Sequence, residues 1–263
     1  MSTYNGDKYL REQLDSILNQ IGVITDILVR DDGSSDTTTE ILDEYKRRGK
    51  LSWYSGTNLG VKKSFLDLLQ HSSDECDYYA FCDQDDVWLE DKLIKAVEKF
   101  NLDEGIPQLY FSRTVQVDGN LQVIKSMEYS NFGFRFTEVL IKNNATGCTM
   151  VFNNHLVRLI NLIDYKELNL KPLHDHWVYM VCLAVGGNVV FDGNSYIKYR
   201  QHSNNVVGGG RTIIEKIKDH SLFNKGNIKQ LWALELLEKY RDVIYDRNLE
   251  ILYLVSSYKR STK

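Results

Sequence analysis

The residues that decide the fold are the ten at 79–88, YAFCDQDDVW, in which an apolar run ends in three carboxylates within four positions. The apolar part has the composition of a buried β-strand. Carboxylates this close repel one another unless a cation lies among them, and hard divalent cations prefer oxygen ligands. The pattern indicates a metal site at the end of a strand. An acidic turn in which Asp85 or Asp86 caps a helix near residues 90–100 is the alternative.

A second stretch repeats this pattern about fifty residues earlier and reads ILVRDDGSSD at 27–36. Again a β-rich run ends in paired acids, Asp31 and Asp32, and a helical pattern follows. In an open parallel sheet, ligands bind outside the carboxyl ends of the strands. We therefore expect the two acidic turns to end strands of one sheet, to face one crevice and to converge on one divalent ion.

Length and composition limit the class of protein. A chain of 263 residues with 43% hydrophobic and 26% charged residues fits one sizeable α/β domain, alone or with an appendage. The net charge of −4 disfavours a nucleic-acid partner. No run approaches the roughly 20 apolar residues of a membrane span. Without C-x-x-C spacing or a signal peptide, the four cysteines are predicted to be reduced, buried thiols in a cytoplasmic protein.

Strand and helix patterns alternate with short connections up to residue 100, which is typical of a parallel sheet covered on both faces. After residue 100 a β-hairpin is predicted around the Asp118-Gly119 turn, and the later strands and helices suggest a mixed sheet. The sequence thus predicts an α/β fold with a mostly parallel central sheet flanked by helices. The predicted elements of the first half are helices at 7–20, 36–48 and 58–70 and strands at 24–29, 51–54 and 77–82.

The last fifty residues differ in charge and periodicity. Residues 211–263 carry eleven basic and seven acidic side chains, a net charge of +4 against −8 for residues 1–210. Apolar residues three or four apart, from Leu231 to Ile244, predict an amphipathic helical tail after a flexible boundary at Gly208–Gly210. Packing of this tail on the main domain or on a partner subunit is the favoured interpretation, and contact with an anionic membrane is the alternative.

Seven short segments, taken in chain order, resemble the family 2 glycosyltransferases, which have the Rossmann-like GT-A fold. Within that family the chain is most similar to bacterial rhamnosyltransferases of polysaccharide and cell-wall assembly. The resemblance implies a glycosyltransferase domain at residues 1–210, with a nucleotide-binding first half and an acceptor-binding second half. The segments are Ser2–Gly6, Asp31–Ser34, Asn58–Gly60, Asp83–Asp86, Gly147-Cys148, His174-Asp175 and Tyr199–His202.

The resemblance also implies roles in binding a nucleotide sugar. Thr3, Tyr4 and Asp31 would line the base pocket, where Asp31 would accept a hydrogen bond from a pyrimidine N–H, and Asp83 would hold the ribose. Gly147 would permit close approach of the donor sugar, or would simply mark a strand bulge. The implied nucleotide-sugar residues are Thr3, Tyr4, Asp31, Asp32, Asp83, Gly147 and Arg200.

A metal ion and a general base complete the implied site. Asp85 and Asp86 would ligate Mg²⁺ or Mn²⁺ bridging the two phosphates, with His202 as a further ligand. Asp175 would take the proton of the acceptor hydroxyl. A simple helix cap is the competing interpretation of Asp175. His174 and His176 would be neutral imidazoles free to contact the diphosphate, the acceptor or the metal.

The predicted activity is a metal-dependent, inverting transfer of a sugar from a dTDP- or UDP-sugar to a glycan or lipid-linked acceptor. The leading donor is dTDP-L-rhamnose, and the expected location is the cytoplasm or the inner face of the membrane. Contact with the membrane, or self-association, would use the C-terminal helices. One alternative is a phosphatase of the haloacid-dehalogenase type with Asp83 and Asp85 as nucleophile and acid. Another is a truncated, non-catalytic paralogue that binds nucleotide.

One departure from the family pattern concerns the first strand. Family members begin with several apolar residues that lead into the segment matched here by Thr3-Tyr4-Asn5, and this chain begins at Met1. We therefore expect either a natural start farther upstream or a sheet that lacks this strand, which would weaken base binding.

Overall fold

The computed structural model describes residues 1–101, 105–126, 133–168, 172–202 and 225–258. The first part of the chain builds a parallel sheet in the order β1-β2-β3. The segments that connect its strands are helical, as the alternation of strand and helix patterns in the sequence predicts. The elements are β1 (Ser2–Thr3), α1 (Asp7–Leu18), β2 (Leu28–Asp31), α2 (Thr38–Arg47), β3 (Ser52–Ser55) and α3 (Gly60–His71).

A second, mixed sheet follows. Its strands are β4 (Tyr78–Ala80), β5 (Val87–Trp88), β6 (Gln108–Val117), β7 (Val123–Ser126), β8 (Val151–Asn153) and β9 (Asn188–Arg200). They run in the order β4-β8-β6-β9-β5, with β7 beside β6. The long strands β6 and β9 pair in parallel and the other pairs are antiparallel. A parallel half followed by a mixed half is what the sequence predicts.

The expectation that both acidic turns end strands of one sheet is wrong. Strand β2 belongs to the first sheet and β4 to the second. The antiparallel partner of β4 is β8, which comes from a distant part of the sequence. The pairing of strands so far apart cannot be read from local pattern, because every strand of this composition can accept several partners.

Apolar periodicity correctly locates the first helices. Leu10, Leu14 and Ile17 of α1 are buried, as are Ile41 and Leu42 of α2. The strand predicted from residue 24 begins instead at Leu28, and Ile24 is fully exposed. The paired residues of β2 begin at Leu28, opposite Ser52 of β3, and the Ser52 N–H also donates to the Ile27 carbonyl at 2.9 Å, so the residues before Ile27 precede the sheet.

The first strand is present in shortened form. Ser2 and Thr3 pair in parallel with Arg30 and Asp31. Met1 extends this pairing, because its ammonium donates to the Leu28 carbonyl at 2.7 Å and its own carbonyl accepts the Arg30 N–H at 3.0 Å. The strand that positions the Thr3-Tyr4 loop therefore exists in these residues.

Helix α7 (His174–Ala184) is the centre of the second half, and all of its residues are buried. It lies among α3, α5 (Phe136–Val139), α6 (Asn154–Ile160) and the strands β6 and β9. Helix α4 (Lys92–Val97) follows β5 and contacts β8. Because α7 begins at His174, it holds the predicted base Asp175 in its first turn.

The C-terminal helices α8 (Lys225–Tyr240) and α9 (Asp246–Ser257) pack on α7. The ring of Tyr240 lies 6.1 Å from that of Trp177, and the side-chain amide of Asn248 donates to the Leu183 and Ala184 carbonyls at 2.9 and 3.0 Å. These contacts agree with the interpretation that the tail packs on the main domain. The predicted boundary at Gly208–Gly210 lies outside the described residues. None of the helices described is long and apolar enough to cross a bilayer.

We expect Asn248→Ala to destabilise the protein by about 1–3 kcal/mol, because it removes two buried hydrogen bonds, one to each of two carbonyls at the end of α7. The change is measured as a lower midpoint of urea unfolding. Glu250→Ala, an exposed position on the same helix, is the control and should shift the midpoint little. Equal effects of the two substitutions would contradict docking of α9 on α7.

Candidate functional site

The acidic turn lies between β4 and β5. Asp86 is fully buried, one of its oxygens accepts the backbone N–H of Arg200 at 3.0 Å, and its Oδ2 has no hydrogen-bond partner. Asp85 Oδ2 lies 2.7 Å from His202 Nε2. The N-cap position of α4 is occupied by Asp91. The alternative in which Asp85 or Asp86 caps the next helix is therefore wrong.

Further acidic and thiol groups surround this turn. Ligand atoms of Asp83, Asp86 and Cys148 lie within 4.8 Å of one another. Burial, and then the charges of Asp85 and Asp175, raise the pKa of Asp83 to about 7. Burial and the charges of Asp85 and Asp83 raise the pKa of Asp86 well above its usual range. Below, these residues are called the acidic cluster: Asp83, Asp85, Asp86 and Asp175.

The acidic cluster fits a hard divalent cation. The buried, unpartnered Oδ2 of Asp86 requires compensation, since an unpaired buried polar atom costs free energy. Crowded carboxylates that repel one another are relieved by a cation placed among them. The oxygens of the cluster, with the imidazole of His202 beside Asp85, are donors that Mg²⁺ or Mn²⁺ accepts.

Asp175 is the second residue of α7 and is buried at the edge of the cluster. Its Oδ2 accepts the Gly147 N–H at 3.1 Å and its Oδ1 accepts the His176 N–H at 2.6 Å. Burial raises its pKa to about 6, although both hydrogen bonds favour the ionised form. The N-cap position itself is Leu173, so the simple cap interpretation of Asp175 does not describe its place in the helix.

Gly147 allows the chain to pass close to the start of α7. A Cβ atom at this position would lie 3.0 Å from His174 Nε2 and 3.3 Å from the Cβ of Asp175. Any larger residue would push against both side chains, so glycine lets the backbone donate to Asp175 from short range. This close approach, rather than a bulge, accounts for the glycine.

The two histidines beside Asp175 differ in environment. His174 is buried between Phe65, stacked at 4.1 Å, and Phe81, edge-on at 4.7 Å, and burial lowers its pKa to about 3. The Nε2 of His176 lies 2.6 Å from the Val139 carbonyl oxygen, and burial also lowers the pKa of its ring. Both imidazoles are therefore neutral near pH 7. The His176 ring is held in the protein interior by its contacts with the Val139 carbonyl and the Trp232 ring.

The predicted base pocket is built from two loops. Thr3 Oγ1 donates to Asp31 at 3.1 Å, and Asp31 also accepts the Ser34 N–H at 2.9 Å. The Tyr4 side chain is 50% exposed, while its backbone is bound at both ends by Gln84. The Tyr4 N–H donates to Gln84 Oε1 at 2.8 Å, and Gln84 Nε2 donates to the Tyr4 carbonyl at 3.1 Å. Gln84 thus joins the base loop to the acidic turn, a role that the sequence does not reveal.

Asp32 orders a neighbouring loop and lies outside the acidic cluster. Its oxygens accept the N–H groups of Leu59 and Gly60 at 2.7 and 2.8 Å, at the start of α3. It also pairs with the buried guanidinium of Arg30. Because Asp31 binds N–H groups of its own loop and Asp32 binds those at the start of α3, the expected convergence of both acidic turns on one ion is not found.

Arg200 lies behind the acidic turn and donates to protein groups. Its Nε donates to the Asp85 carbonyl at 2.7 Å and its Nη1 to the Gly119 carbonyl at 2.6 Å. Its Nη2 pairs with Glu12. The sequence places Arg200 in the nucleotide-sugar site, and the structure assigns these donors to support of the acidic turn. Cys148 is the other neighbour that sequence reasoning did not select, since its only signal is its position after Gly147.

Comparison with known families agrees with this geometry. The sequence model described as glycosyl transferase family 2 matches residues 1–156, which is more than half of the chain. The chain belongs to glycosyl transferase family 2. A dTDP-rhamnosyl transferase of this kind, RfbG from Shigella flexneri, is 27% identical over 266 residues, covering 94% of this chain and 85% of RfbG. An uncharacterized glycosyltransferase from Rickettsia typhi is 26% identical over 239 residues, covering 89% and 72% of the two chains.

Solved structures show the same fold. S. aureus TarS 1–349 in complex with UDP-GlcNAc superposes with a TM-score of 0.66 at 19% identity, covering 95% of this chain and 68% of TarS. TarS 1–349 in complex with UDP gives a TM-score of 0.59. The GT-A fold predicted from the seven segments is thereby confirmed. The family match leaves the phosphatase alternative without support.

We expect Asp83→Asn to stabilise the metal-free protein at pH 8. The folded-state pKa of about 7 lies above the ordinary carboxyl value of 3.8, so ionisation of Asp83 costs the folded chain stability as the pH rises from about 4 through about 7. The substitution removes that cost, a gain on the order of 1–3 kcal/mol since the side chain is only partly buried. The measurement is the thermal midpoint in EDTA at pH 4.5 and pH 8.

The gain should shrink toward pH 4.5, where the carboxyl is protonated in the folded protein. Glu98→Gln, which changes an exposed carboxylate outside the cluster, is the control and should show no such dependence. A gain of equal size at both pH values would show that ionisation of Asp83 is not its cause.

Proposed function

We propose that this glycosyltransferase transfers a sugar from a pyrimidine nucleoside-diphosphate donor to an acceptor hydroxyl with inversion at the anomeric carbon. The observation that carries the proposal is Asp175, a buried carboxylate beside the acidic turn with a pKa raised to about 6. A carboxyl with this pKa is ionised at neutral pH and is a stronger base than an exposed one.

The nucleotide would bind at the loops that join β1 to α1 and β2 to α2. Asp31 would accept the base N–H, with Thr3 and the exposed ring of Tyr4 beside it, and Asp83 would hold the ribose. The hydrogen bond from Thr3 and those from the Ser34 loop to Asp31 support this assignment, since they hold the carboxylate ionised and in place. Binding by the backbone around Gly147 would place the donor sugar next to Asp175.

The residues that would hold Mg²⁺ or Mn²⁺ are Asp85 and His202, with Asp86 and Asp83 behind them. When bound, the ion supplies positive charge that stabilises the departing diphosphate. Asp85 and His202 already approach to 2.7 Å, and the turn that carries Asp85 is held from behind by Arg200. This proximity supports the assignment, because two ligands of one ion must lie close together.

In the proposed chemical step, this chain accepts one proton. The acceptor oxygen forms a bond to the anomeric carbon while the bond from that carbon to the diphosphate oxygen breaks. The hydroxyl proton passes to Asp175, and the nucleoside diphosphate leaves with the bonding electron pair. A single displacement of this kind inverts the anomeric configuration. The N–H groups of Gly147 and His176 orient the carboxylate for this transfer.

Similarity supports a deoxysugar donor. RfbG is a dTDP-rhamnosyl transferase, and its likeness extends over 94% of this chain. We infer dTDP-L-rhamnose as the donor and a growing glycan or lipid-linked glycan as the acceptor, used in the cytoplasm near the inner face of the membrane. Exposed apolar residues on the C-terminal helices, among them Leu234 and Leu254, support contact of this end with a membrane or with a second copy.

Donor binding is tested by isothermal titration of the protein with dTDP, UDP and GDP, with and without Mn²⁺. We expect the affinity for dTDP to rise with Mn²⁺ and to exceed the affinity for GDP. Asp85→Ala should abolish the Mn²⁺-dependent part, since it removes a ligand beside His202. A folded wild-type protein that binds none of the three nucleotides would overturn the proposed function.

The base is tested by Asp175→Asn. We expect the rate of transfer to fall by about 10²–10⁴ while the affinity for dTDP and Mn²⁺ stays near the wild-type value, because the substitution removes a proton acceptor and leaves the donor site intact. The wild-type rate should decline below about pH 6 as Asp175 becomes protonated. Substantial activity in Asp175→Asn, or a rate independent of pH between 5 and 8, would exclude Asp175 as the base.

A further inference from the structure

Arg200 is a buried cation that joins separate parts of the chain. Its side chain is 1% exposed, and it ends β9. Its guanidinium donates to the Asp85 carbonyl and to the Gly119 carbonyl in the turn between β6 and β7. Because a guanidinium presents its donors in a rigid plane, these contacts together fix its orientation.

The same residue holds the acidic turn at a second point. The backbone N–H of Arg200 donates to Asp86 at 3.0 Å, while its Nε holds the carbonyl of Asp85. His202 follows two residues later and lies 2.7 Å from Asp85. The separation of Asp85 from His202 therefore depends on where Arg200 is held.

Helix α1 holds Arg200 from the other side. Glu12, which is 47% exposed, pairs with Nη2 of Arg200, and the Tyr9 ring lies under the guanidinium at 4.2 Å. Tyr9 also contacts the ring of His202, at 5.4 Å. Residues three apart lie on one face of a helix, so a single face of α1 contacts both Arg200 and His202. A buried guanidinium requires a counter-charge, which Glu12 supplies.

We propose that Glu12 is a positioning residue for the metal pair of Asp85 and His202 and that it acts through Arg200. This rests on the proposed function, in which that pair holds the divalent ion. Loss of the Glu12 charge leaves the guanidinium without its acidic partner, so Arg200 shifts and the Asp85 turn and His202 move relative to each other. Since α1 begins directly after the Thr3-Tyr4 loop, the same helix connects the base pocket to the ion site.

Glu12→Gln tests this with little change of shape, and Glu44→Gln is the matched control. Glu44 forms an exposed ion pair with Arg11 of α1 and lies away from the acidic turn. The measurements are the Kd of Mn²⁺ by titration calorimetry in saturating dTDP, the Kd of dTDP in EDTA, and the thermal midpoint.

We expect Glu12→Gln to weaken the binding of Mn²⁺ by about 10–100-fold, which is the usual effect of losing a residue that orients a metal ligand. The Kd of dTDP in EDTA should stay close to that of Glu44→Gln, while the thermal midpoint falls because the buried guanidinium loses its counter-charge. In a transfer assay the Mn²⁺ concentration for half-maximal rate should rise by a similar factor, while kcat at saturating Mn²⁺ changes little. The electron paramagnetic resonance spectrum of bound Mn²⁺ should also change.

A second variant separates positioning from folding. Arg200→Lys keeps the charge but loses the planar arrangement of donors, so it should weaken the binding of Mn²⁺ as well. The double variant with Glu12→Gln should bind Mn²⁺ no more weakly than the poorer of the two single variants. Additive effects of the two substitutions would overturn the proposal. So would unchanged Mn²⁺ binding in Glu12→Gln, or a loss of Mn²⁺ binding accompanied by an equal loss of metal-free dTDP binding. If the wild-type protein binds dTDP but no Mn²⁺, the assigned ion site is wrong and this proposal fails with it.

Discussion

Electrostatic repulsion within the acidic cluster is the constraint to which the rest of the structure responds. Asp83, Asp85, Asp86 and Asp175 share a small and largely buried volume. Burial and the charges of Asp85 and Asp175 raise the pKa of Asp83 to about 7, and burial raises the pKa of Asp175 to about 6. Four carboxylates do not remain ionised in such a place without compensation. Under the proposed function, a divalent ion placed among these carboxylates would relieve their repulsion.

Much of the surrounding structure holds that cluster in place. Arg200 binds the turn from behind through its backbone and its side chain. Gln84 ties the turn to the backbone of Tyr4, and the Gly147 N–H binds Asp175. The fixed N–H and guanidinium groups provide positive potential without moving, and groups that are already oriented stabilise charge more than mobile ones do.

The second half of the chain holds Asp175 in place. Helix α7 is buried along its whole length, and the C-terminal helices cover one of its sides through Tyr240 and Asn248. This explains the buried face of the tail, through which its described residues pack on the main domain. The exposed face of the same helices keeps several large apolar side chains in water, which is the physical basis for expecting a further contact there.

The local sequence pattern was sufficient to predict part of the fold and part of the candidate site. The first helices and the hairpin turn at Asp118-Gly119 follow from periodicity and turn chemistry, because those interactions lie within a few residues. The acidic turn at Asp83 and the base candidate Asp175 could also be selected from the residues and their family resemblance. The contact between Glu12 and Arg200 could not, because its partners are 188 residues apart and nothing near either residue marks the other.

The sequence by itself determined the types of the elements, their order, and the residue types able to bind a nucleotide, an ion and a proton. The tertiary structure alone decided which carboxylates meet. Asp31 and Asp83 follow similar strands, yet Asp31 is bound by N–H groups of its own loop, whereas Asp83 faces Asp85 and Asp175. The difference arises because the Asp31 carboxylate accepts hydrogen bonds from its own loop and from Thr3, which favour its charged form, whereas the turn at Asp83 places several carboxylates close together so that they repel one another.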